Sequence, residues 1–571
     1  MNHAKTLLFS LAAAALTISA VARPALAQAQ EPTPGHQHYD KGDGTMKPAP
    51  SGALAPRLQN LGAYVFPAST RNKQAQLFIN QGINLAYGFN HAEAARAFAE
   101  AARLDPELAM AYWGHALVLG SNINAPMNPD DEAKAFEAIQ KAVALKAKAS
   151  PRERDWIDAL AKRYTGKADD RKAADAAYAD AMRALARKYP DDLDAAAMFA
   201  EAMMDLRPWA YWTHDSYPRP GTDEIIAALE RVMQRNPKHP GALHFWVHLW
   251  EPTKTPEKAE AAADALLPLV PGAGHMVHMP AHIYQRVGRY ADVVKSNQMA
   301  VAADEDYISQ CRAQGLYPLG YYPHNIHFIW FGANMGGQSK LAVEAGKKTR
   351  DSIPHEALQQ LPFLQGFLVA HEYALVRFGQ WDEILALQPL HYDSLFTRGI
   401  RHYSRGMAFA GKGQFDQAWE ELDALERLAG SEGLAKMPAS FSANSAQDIL
   451  RIAPEVLAGE LAAKKGELDS AIAHLDKAVR LQDALIYTEP DDWHYPVRQS
   501  LGAVLLQAGR PREAEVVYWH DLSKWPDNGW SLFGLVQALQ AQGKEQQAAE
   551  VQKRFAKAWA NADVKLTASR F

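Results

Sequence analysis

The feature of this sequence that most restricts its fold is a set of small, aromatic and proline residues that returns at a fixed spacing. Its first copy is Gly82, Ala94, Phe98, Ala101 and Pro106. Related sets occur at residues 406–425, 459–478, 502–526 and 543–555, with a weaker one at 379–384. Little alternation of apolar and polar residues accompanies them, which disfavours strands. The pattern predicts helix–turn–helix units stacked into a helical array.

This spacing resembles the consensus of the tetratricopeptide (TPR) repeat, a helix–turn–helix of about 34 residues, from about residue 57 to the end of the chain. Three segments more narrowly resemble an uncharacterised group of exported bacterial TPR proteins: HMPAHIYQRVGRY (278–290), YYPHNIHF (321–328) and DWHYPVRQSLGAVLL (492–506). The resemblance implies an all-α, right-handed TPR solenoid. It supplies no activity, because none is established for that group.

Composition and motifs exclude several kinds of site. One cysteine in the chain rules out a disulfide framework, a cysteine-based zinc site and an iron–sulfur cluster. The net charge of -5 argues against nucleic acid as a partner. No P-loop, dinucleotide glycine motif, G-x-S-x-G, H-E-x-x-H or C-x-x-C-H is present, so we expect neither nucleotide nor haem. Cys311 lacks the local context of a nucleophile, and we expect an inert thiol.

The N-terminus predicts export. Lys5 precedes an apolar run at residues 6–21, and Ala25-Leu26-Ala27 matches a signal-peptidase site. We therefore predict a signal peptide at residues 1–27, a mature protein that is periplasmic or secreted, and no membrane span after cleavage. A linker rich in proline and glycine follows at residues 28–56. We predict one TPR array at residues 57–356 and a second at residues 357–571.

Histidines occupy equivalent places in three neighbouring repeats. These repeats begin at residues 240, 274 and 323, with an insertion at residues 308–322. In TPR proteins, places two, five and nine of the first helix face the concave groove, so the resemblance implies a histidine-lined groove. His275 and His324 take place two, His244, His278 and His327 take place five, and His248 and His282 take place nine.

The spacing within each repeat predicts a metal site. Helical side chains four residues apart lie on one face, and adjacent helices pack about 8–10 Å apart. Neutral imidazole is the commonest protein ligand for transition metals, and cysteine-free ligation of this kind suits zinc or copper most readily. We predict that a divalent transition metal is bound in the groove by six histidines: His244, His248, His278, His282, His324 and His327.

Four further residues are candidates at the edge of this site. His275 takes place two of the middle repeat. Glu251, one turn beyond a predicted ligand, is a candidate ligand or a partner that orients one. Arg286 could bind a substrate carboxylate through two hydrogen bonds. His115 takes place nine of an earlier repeat and could extend the row.

Two functions from different classes stay open on this sequence. The first is an exported scaffold that binds a protein or peptide in the TPR groove. The second is a metal-dependent enzyme, either a hydrolase or a copper or iron oxidoreductase. The histidines could also form a metal-free polar groove. Insertions at residues 120–131, 207–223 and 315–323 are expected either to cover the groove or to cap the apolar core.

Overall fold

A computed structural model describes residues 52–167, 170–311 and 317–571. The predicted signal peptide at residues 1–27 lies outside the described residues. The described end of the predicted linker packs against the first helices, since Ala55 is buried and the Leu54 amide donates to Glu100 at 2.8 Å. None of the described helices is long and apolar enough to cross a membrane.

The described residues form α-helices joined by turns, short 3-10 segments and one π turn at Tyr317–Tyr321, and they contain no named strand. The helices of the first half are α1 Lys73–Tyr87, α2 His91–Leu104, α3 Ala109–Leu119, α4 Glu132–Ala144, α5 Pro151–Leu160, α6 Arg171–Lys188, α7 Leu193–Asp205, α8 Thr222–Arg235, α9 Pro240–Trp250, α10 Glu260–Leu266, α11 Gly274–His278, α12 Pro280–Arg286, α13 Tyr290–Cys311 and α14 Tyr322–Met335.

The remaining helices are α15 Ser339–Asp351, α16 His355–Gln360, α17 Gln365–Leu368, α18 Ala370–Arg377, α19 Trp381–Ala386, α20 Leu395–Gly411, α21 Phe415–Ala429, α22 Ala446–Leu450, α23 Ile452–Lys465, α24 Leu468–Asp483, α25 Arg498–Gln507, α26 Pro511–Lys524, α27 Gly529–Gln540 and α28 Glu545–Ala558. Neighbours in the chain pack as helical hairpins, among them α1 with α2, α13 with α14, α23 with α24 and α27 with α28. The predicted all-α solenoid of the TPR type is confirmed.

Glycines of the repeat pattern lie where an aromatic ring of one helix meets the backbone of another. A Cβ built on Gly82 would lie 2.7 Å from the Phe98 ring, and one on Gly114, in the next repeat, would lie 2.3 Å from it. Tyr518 is enclosed in the same way by Gly502 and Gly534, at 2.4 and 2.1 Å. One large side chain therefore fills the space between two successive repeats, as the pattern predicted.

The G114A variant is expected to be less stable than the wild type by about 2 kcal/mol, because the added methyl group displaces the buried Phe98 ring. The midpoint of urea unfolding, followed by circular dichroism, measures this. G430A is the matched control, since a Cβ there would meet only its own helix's carbonyl oxygens, at 3.6 Å or more. Equal effects of the two substitutions would contradict the packing role of Gly114.

Two large apolar clusters form the core, and they meet at α13 and α14. The first runs from Ala55 to Val293 and includes Phe328 of α14. The second contains Tyr290 and Val294 of α13 and continues to Val551. The helices that carry the predicted site, α9, α11, α12 and α14, lie at or beside this junction. The division of the chain into two arrays at residue 356 stays a prediction.

The buried Asp521 carboxyl makes stability depend on pH. It accepts hydrogen bonds from Ser531 Oγ at 2.6 Å and from Asn528 Nδ2 at 3.1 Å. Burial raises its pKa to about 6, against these hydrogen bonds. The folded state thus keeps this proton to a higher pH than the unfolded chain. The resulting stability is present below about pH 4 and is lost as the pH rises through 6.

The D521N variant is accordingly expected to gain stability relative to the wild type between pH 4 and pH 7, by about 1.4 kcal/mol for each unit by which burial raises the Asp521 pKa. Thermal unfolding midpoints of both proteins across this range measure the difference. D469N serves as the control, because Asp469 is fully exposed. A difference between D521N and the wild type that does not change with pH would contradict the raised pKa.

Candidate metal centre

Three local breaks in the helices bring the histidines together. Proline occupies the first turn of α9, α12 and α14, where a missing N–H costs nothing. Pro280 also separates α11 from α12, so His278 and His282 lie on either side of a bend but remain four residues apart. The His239 ring accepts from the Ala242 amide at 3.1 Å and caps α9. These features fix the starts of α9, α12 and α14.

Six histidines form two adjacent groups of three. In what we call the first triad, His244, His248 and His275, ring centroids lie 4.7, 5.0 and 6.2 Å apart. In the second triad the corresponding distances are 4.6, 4.8 and 5.7 Å. Within each triad the candidate ligand atoms all lie within 4.8 Å of one another. The second triad consists of His278, His282 and His324.

The repeat explains this grouping. Each triad combines places five and nine of one repeat with place two of the next repeat. The triads are therefore built across the two repeat boundaries, and they adjoin each other. The His248 and His282 rings are 6.1 Å apart, and the His275 and His278 rings are 5.9 Å apart. We refer to all six residues as the histidine cluster.

One imidazole in each triad is oriented by a neutral oxygen. His244 Nδ1 lies 2.6 Å from the Tyr87 carbonyl oxygen. His278 Nδ1 lies 2.6 Å from Asn297 Oδ1, and the amide nitrogen of Asn297 donates to a backbone carbonyl at 2.8 Å. Because both oxygens can only accept, Nδ1 carries the proton in each ring. The Nε2 atom of each ring then presents a lone pair.

A second pair of imidazoles is oriented by carboxylates. His248 Nδ1 lies 2.9 Å from Glu251 Oε1, and His282 Nδ1 lies 3.2 Å from Glu251 Oε2. His282 Nδ1 also contacts Glu489. A carboxylate on Nδ1 fixes the tautomer and increases the basicity of Nε2, which is the usual arrangement behind metal-bound histidine. Glu251 lies against one ring of each triad, but only its Oε1 atom makes a hydrogen bond; Oε2 has no hydrogen-bond partner among the described residues.

The Nε2 atoms converge on one another. His278 Nε2 and His282 Nε2 are 2.7 Å apart. In one tautomer of His282 this contact is a hydrogen bond between the two rings; with both Nδ1 atoms protonated, two lone pairs face each other and a bound cation would relieve their repulsion. Nε2 of His244, Nε2 of His248 and both ring nitrogens of His275 are buried and have no hydrogen-bond partner in the described chain. Such orphaned acceptors are costly unless something binds them.

Burial keeps these rings neutral. It lowers the pKa of His244 to about 3 and the pKa values of His248, His275 and His278 well below the ordinary value. Neutral imidazole is the form that coordinates metals. Burial, together with the nearby Glu489 carboxylate, raises the pKa of Glu251 well above its usual range. The site thus combines uncharged nitrogen donors with carboxyl groups that a bound cation would help to ionise.

The cluster does not line an open groove, which differs from the expectation. Five of its six histidines are at most 5% accessible, and the sixth, His324, is partly exposed. Aromatic rings pack against the cluster: the Phe89 ring lies 4.6 Å from the His244 ring, Trp209 lies 5.2 Å from His248, and Tyr321 lies 4.7 Å from His275. Trp209 and Tyr321 belong to two of the predicted insertions, which therefore cover the site.

Two of these covering residues have unusual backbones. Phe89 and Trp209 have φ angles of 53° and 62°, in the left-handed region that side chains other than glycine seldom adopt. Such conformations persist only where the surroundings enforce them, and they concentrate at functional sites. Both rings contact His248, at 5.7 and 5.2 Å. The strained backbone thus serves to place two rings against the histidine cluster.

One predicted ligand, His327, and one further candidate, His115, lie outside the cluster. His327 takes place five of the third repeat, but Phe331 occupies place nine there, so the paired arrangement ends. The His327 ring stacks on Trp330 at 4.7 Å and lies 5.5 Å from Phe367. His115, on α3, belongs to neither triad; burial and then the charge of Lys141 lower its pKa.

Arg286 borders the cluster but is used for structure. Its guanidinium donates to the carbonyl oxygens of Glu251 at 2.9 Å and Thr253 at 3.0 Å. It also lies over the Tyr487 ring at 5.1 Å. These hydrogen bonds use the guanidinium N–H groups that we expected to bind a substrate carboxylate. Arg286 instead fixes the end of α9 that carries Glu251.

Sequence reasoning missed Glu489 and Tyr487, which reach the cluster from residues 484–497. Tyr487 donates to the Glu251 carbonyl oxygen at 3.0 Å and contacts Glu489. Glu489 lies 207 positions from His282 in the chain, and Tyr487 lies 236 positions from Glu251. They immediately precede the motif at residues 492–506, which is the one sequence signal that pointed to this segment.

Comparison with known proteins yields no family. No protein-family model and no curated protein matches the chain. Among solved structures, a human IFIT1 dimer with m7Gppp-AAAA is 13% identical, covering 86% of this chain and 90% of its own, with a TM-score of 0.29. Yeast Tom70 is 11% identical, covering 85% of this chain and 91% of its own, with a TM-score of 0.24. The P58(IPK) TPR domain is 12% identical, covering 83% of this chain and 99% of its own, with a TM-score of 0.21. These values are too low to support an argument, so the fold assignment rests on the helical hairpins themselves.

Proposed function

We propose that this chain is a TPR scaffold that binds two transition-metal ions, one in each histidine triad. The observation that carries the proposal is the orientation of the rings. Nδ1 of four histidines is held by oxygen acceptors, and the Nε2 atoms that remain converge in two buried groups. A structural role for the histidines requires neither the fixed tautomers nor the orphaned nitrogens.

The donor set favours zinc or copper. All first ligands are neutral imidazoles, which suit zinc and copper, and no thiolate is available to select another metal. Three histidines leave a fourth coordination position for water or a further ligand. Glu251 and Glu489 would balance the charge of the ions while orienting the rings. We assign them to the second layer around the metal because each contacts Nδ1 rather than Nε2.

The setting we propose is the periplasm or the extracellular medium. The signal-peptide pattern at residues 1–27 supports export. The proposed metal sites are buried and need no disulfide, which is compatible with metal uptake after the chain has been exported. A protein or peptide partner remains part of the proposal, as expected of a TPR scaffold. It would bind an exposed face of the solenoid, since the histidines themselves are covered.

Elemental analysis of the mature, untagged protein tests the proposal. We expect about two equivalents of zinc or copper per chain in the wild type and loss of both in the H248A/H282A variant, with helicity retained. The variant removes one ligand from each triad. Absence of bound metal in the wild type, even after incubation with Zn²⁺ and with Cu²⁺, would contradict the proposal.

A metal-dependent enzyme is a second candidate function. Each triad supplies three ligands, and Glu489, which contacts His282, also lines an adjacent pocket. An open coordination position facing a pocket is what metal-assisted hydrolysis or oxidation needs. Substitution by Co²⁺ and addition of azide would test for that position. A change in the visible spectrum supports it, and an unchanged spectrum would count against catalysis.

A further inference from the structure

The third histidine of each triad lies near the start of a helix. His275 is the second residue of α11, and His324 is the third residue of α14. Because α11 is only five residues long, few hydrogen bonds of its own fix its direction. The positions of these two rings therefore depend on the contacts that hold the two helix starts.

The carboxylate of Asp304, on α13, lies beside both helix starts. Asp304 is fully buried, and each of its two oxygens accepts a hydrogen bond. Tyr317 Oη donates to Oδ1 at 2.8 Å, and Asn325 Nδ2 donates to Oδ2 at 2.7 Å. Tyr317 belongs to the π turn and Asn325 to α14, so this one side chain joins three segments of the chain.

One connection runs from Asp304 through Tyr317 to His275. The backbone N–H of His275 donates to Tyr317 Oη at 3.2 Å, and that hydroxyl donates onward to Asp304. Gly274 permits this approach, because a Cβ there would lie 1.9 Å from Asp304 Oδ1. The Tyr317 ring also stacks on Tyr321, whose ring lies 4.7 Å from the His275 ring. An N–H in the first helical turn has no partner in its own helix, so Tyr317 supplies the contact that fixes His275.

The other connection reaches His324 through its neighbour Asn325. Asn325 is fully buried, and its side-chain amide donates to Asp304. This hydrogen bond fixes the first turn of α14 on α13, and with it the backbone that carries the His324 ring. That ring lies 4.8 Å from the His278 ring of the same triad. Metal ligands must be held to within about 0.5 Å, so a shift of this turn would disturb the ligand set.

We propose that Asp304 is a positioning residue that holds the third histidine of both triads, one through each carboxylate oxygen. The inference rests on the proposed metal sites and adds a residue that controls the geometry of both. A buried carboxylate is costly as packing material alone. Its hydrogen bonds are directional, so it fixes the two helix starts more narrowly than an apolar side chain would.

Three substitutions separate the two connections. Y317F removes the connection to His275 and is expected to weaken the ion of the first triad about tenfold, with the second ion within about twofold of the wild type. N325L removes the connection to His324, and we expect the reverse result. D304L removes both connections at a similar side-chain volume and is expected to weaken both ions about tenfold.

Competition against a chelator of known affinity measures these effects, with the metal that the wild type retains. Each substitution is also made in H278A/H282A and in H244A/H248A, which leave one complete triad each. Burial raises the pKa of Asp304 to about 7, so the measurements are made at pH 8, where the carboxylate is ionised. Y307F is the matched control: the Tyr307 ring lies 5.3 Å from Tyr317, but its hydroxyl donates to Asn90.

Hydrogen exchange of the metal-free protein tests the positioning without any ion. The amides of residues 274–278 should exchange faster in Y317F and D304L than in the wild type and Y307F, and those of residues 322–326 faster in N325L and D304L. Y317F and N325L keep the test valid if D304L loses helicity by circular dichroism.

Two results would overturn the role of Asp304: unchanged exchange at both helix starts in the variants, or affinities for the two ions that Y317F and N325L do not change selectively. A wild type that binds no metal would instead contradict the proposed metal sites. The exchange rates would then still show whether Asp304 holds the two helix starts.

Discussion

Replacement of His244 and His248 by alanine is expected to remove one of two bound ions and to leave the other. Both residues belong to the first triad, and a single remaining imidazole cannot retain an ion against dilution. The second triad keeps all three of its histidines, and each of its oriented rings keeps its oxygen partner. Elemental analysis should fall from about two equivalents per chain to about one. Substitution of His278 and His282 should give the reciprocal loss.

The controls for this experiment are the predicted ligand His327 and the further candidate His115, which both lie outside the triads. H327A removes a histidine whose ring stacks on Trp330, and H115A removes one on α3 that belongs to neither triad. Both variants should retain two equivalents. Loss of both ions from the H244A/H248A protein would show that the triads form one indivisible site. Loss of metal from H327A would show that His327 is a metal ligand.

The sequence predicts the architecture and most of the histidine cluster because both follow from one repeat. A TPR unit carries each helix to an equivalent position in the next unit, so residues at the same place meet across a repeat boundary. This relation brings His275 beside His244 and His324 beside His278 without any knowledge of the superhelix. His327 is the predicted ligand that does not join the cluster. The repeat register explains this, because its repeat has Phe331 at place nine, where the other two repeats have histidine.

The rest of the site could not be predicted, because it depends on contacts that the repeat does not encode. Glu489 and Tyr487 reach the cluster from a distant connecting segment. Phe89 contacts the cluster from a turn with a left-handed backbone, and a phenylalanine in the sequence does not indicate that conformation. These residues cover most of the histidine cluster, which is one of the two roles that the sequence leaves open for the insertions.

The E251Q variant is expected to weaken the binding of both ions, with the larger loss, about 10- to 100-fold, for the ion whose ring loses its oxygen acceptor. Glu251 accepts from His248 Nδ1 at 2.9 Å through one oxygen and lies 3.2 Å from His282 Nδ1 through the other. A glutamine has one oxygen, so it can accept from only one of these rings, and its amide nitrogen would face the N–H of the other. Competition against a chelator of known affinity, with the two ions titrated in turn, measures both affinities.

E489Q is the matched substitution, because Glu489 contacts His282 and no other member of the histidine cluster among the described contacts. Only the ion of the second triad should bind more weakly, because His282, which loses its carboxylate partner, belongs to that triad. Both variants replace a carboxylate by an amide. The two carboxylates differ in the number of triads that they contact. A loss of both ions from E489Q, or of only one from E251Q, would show that Glu251 does not join the two triads, and the ions would then bind independently of this carboxylate.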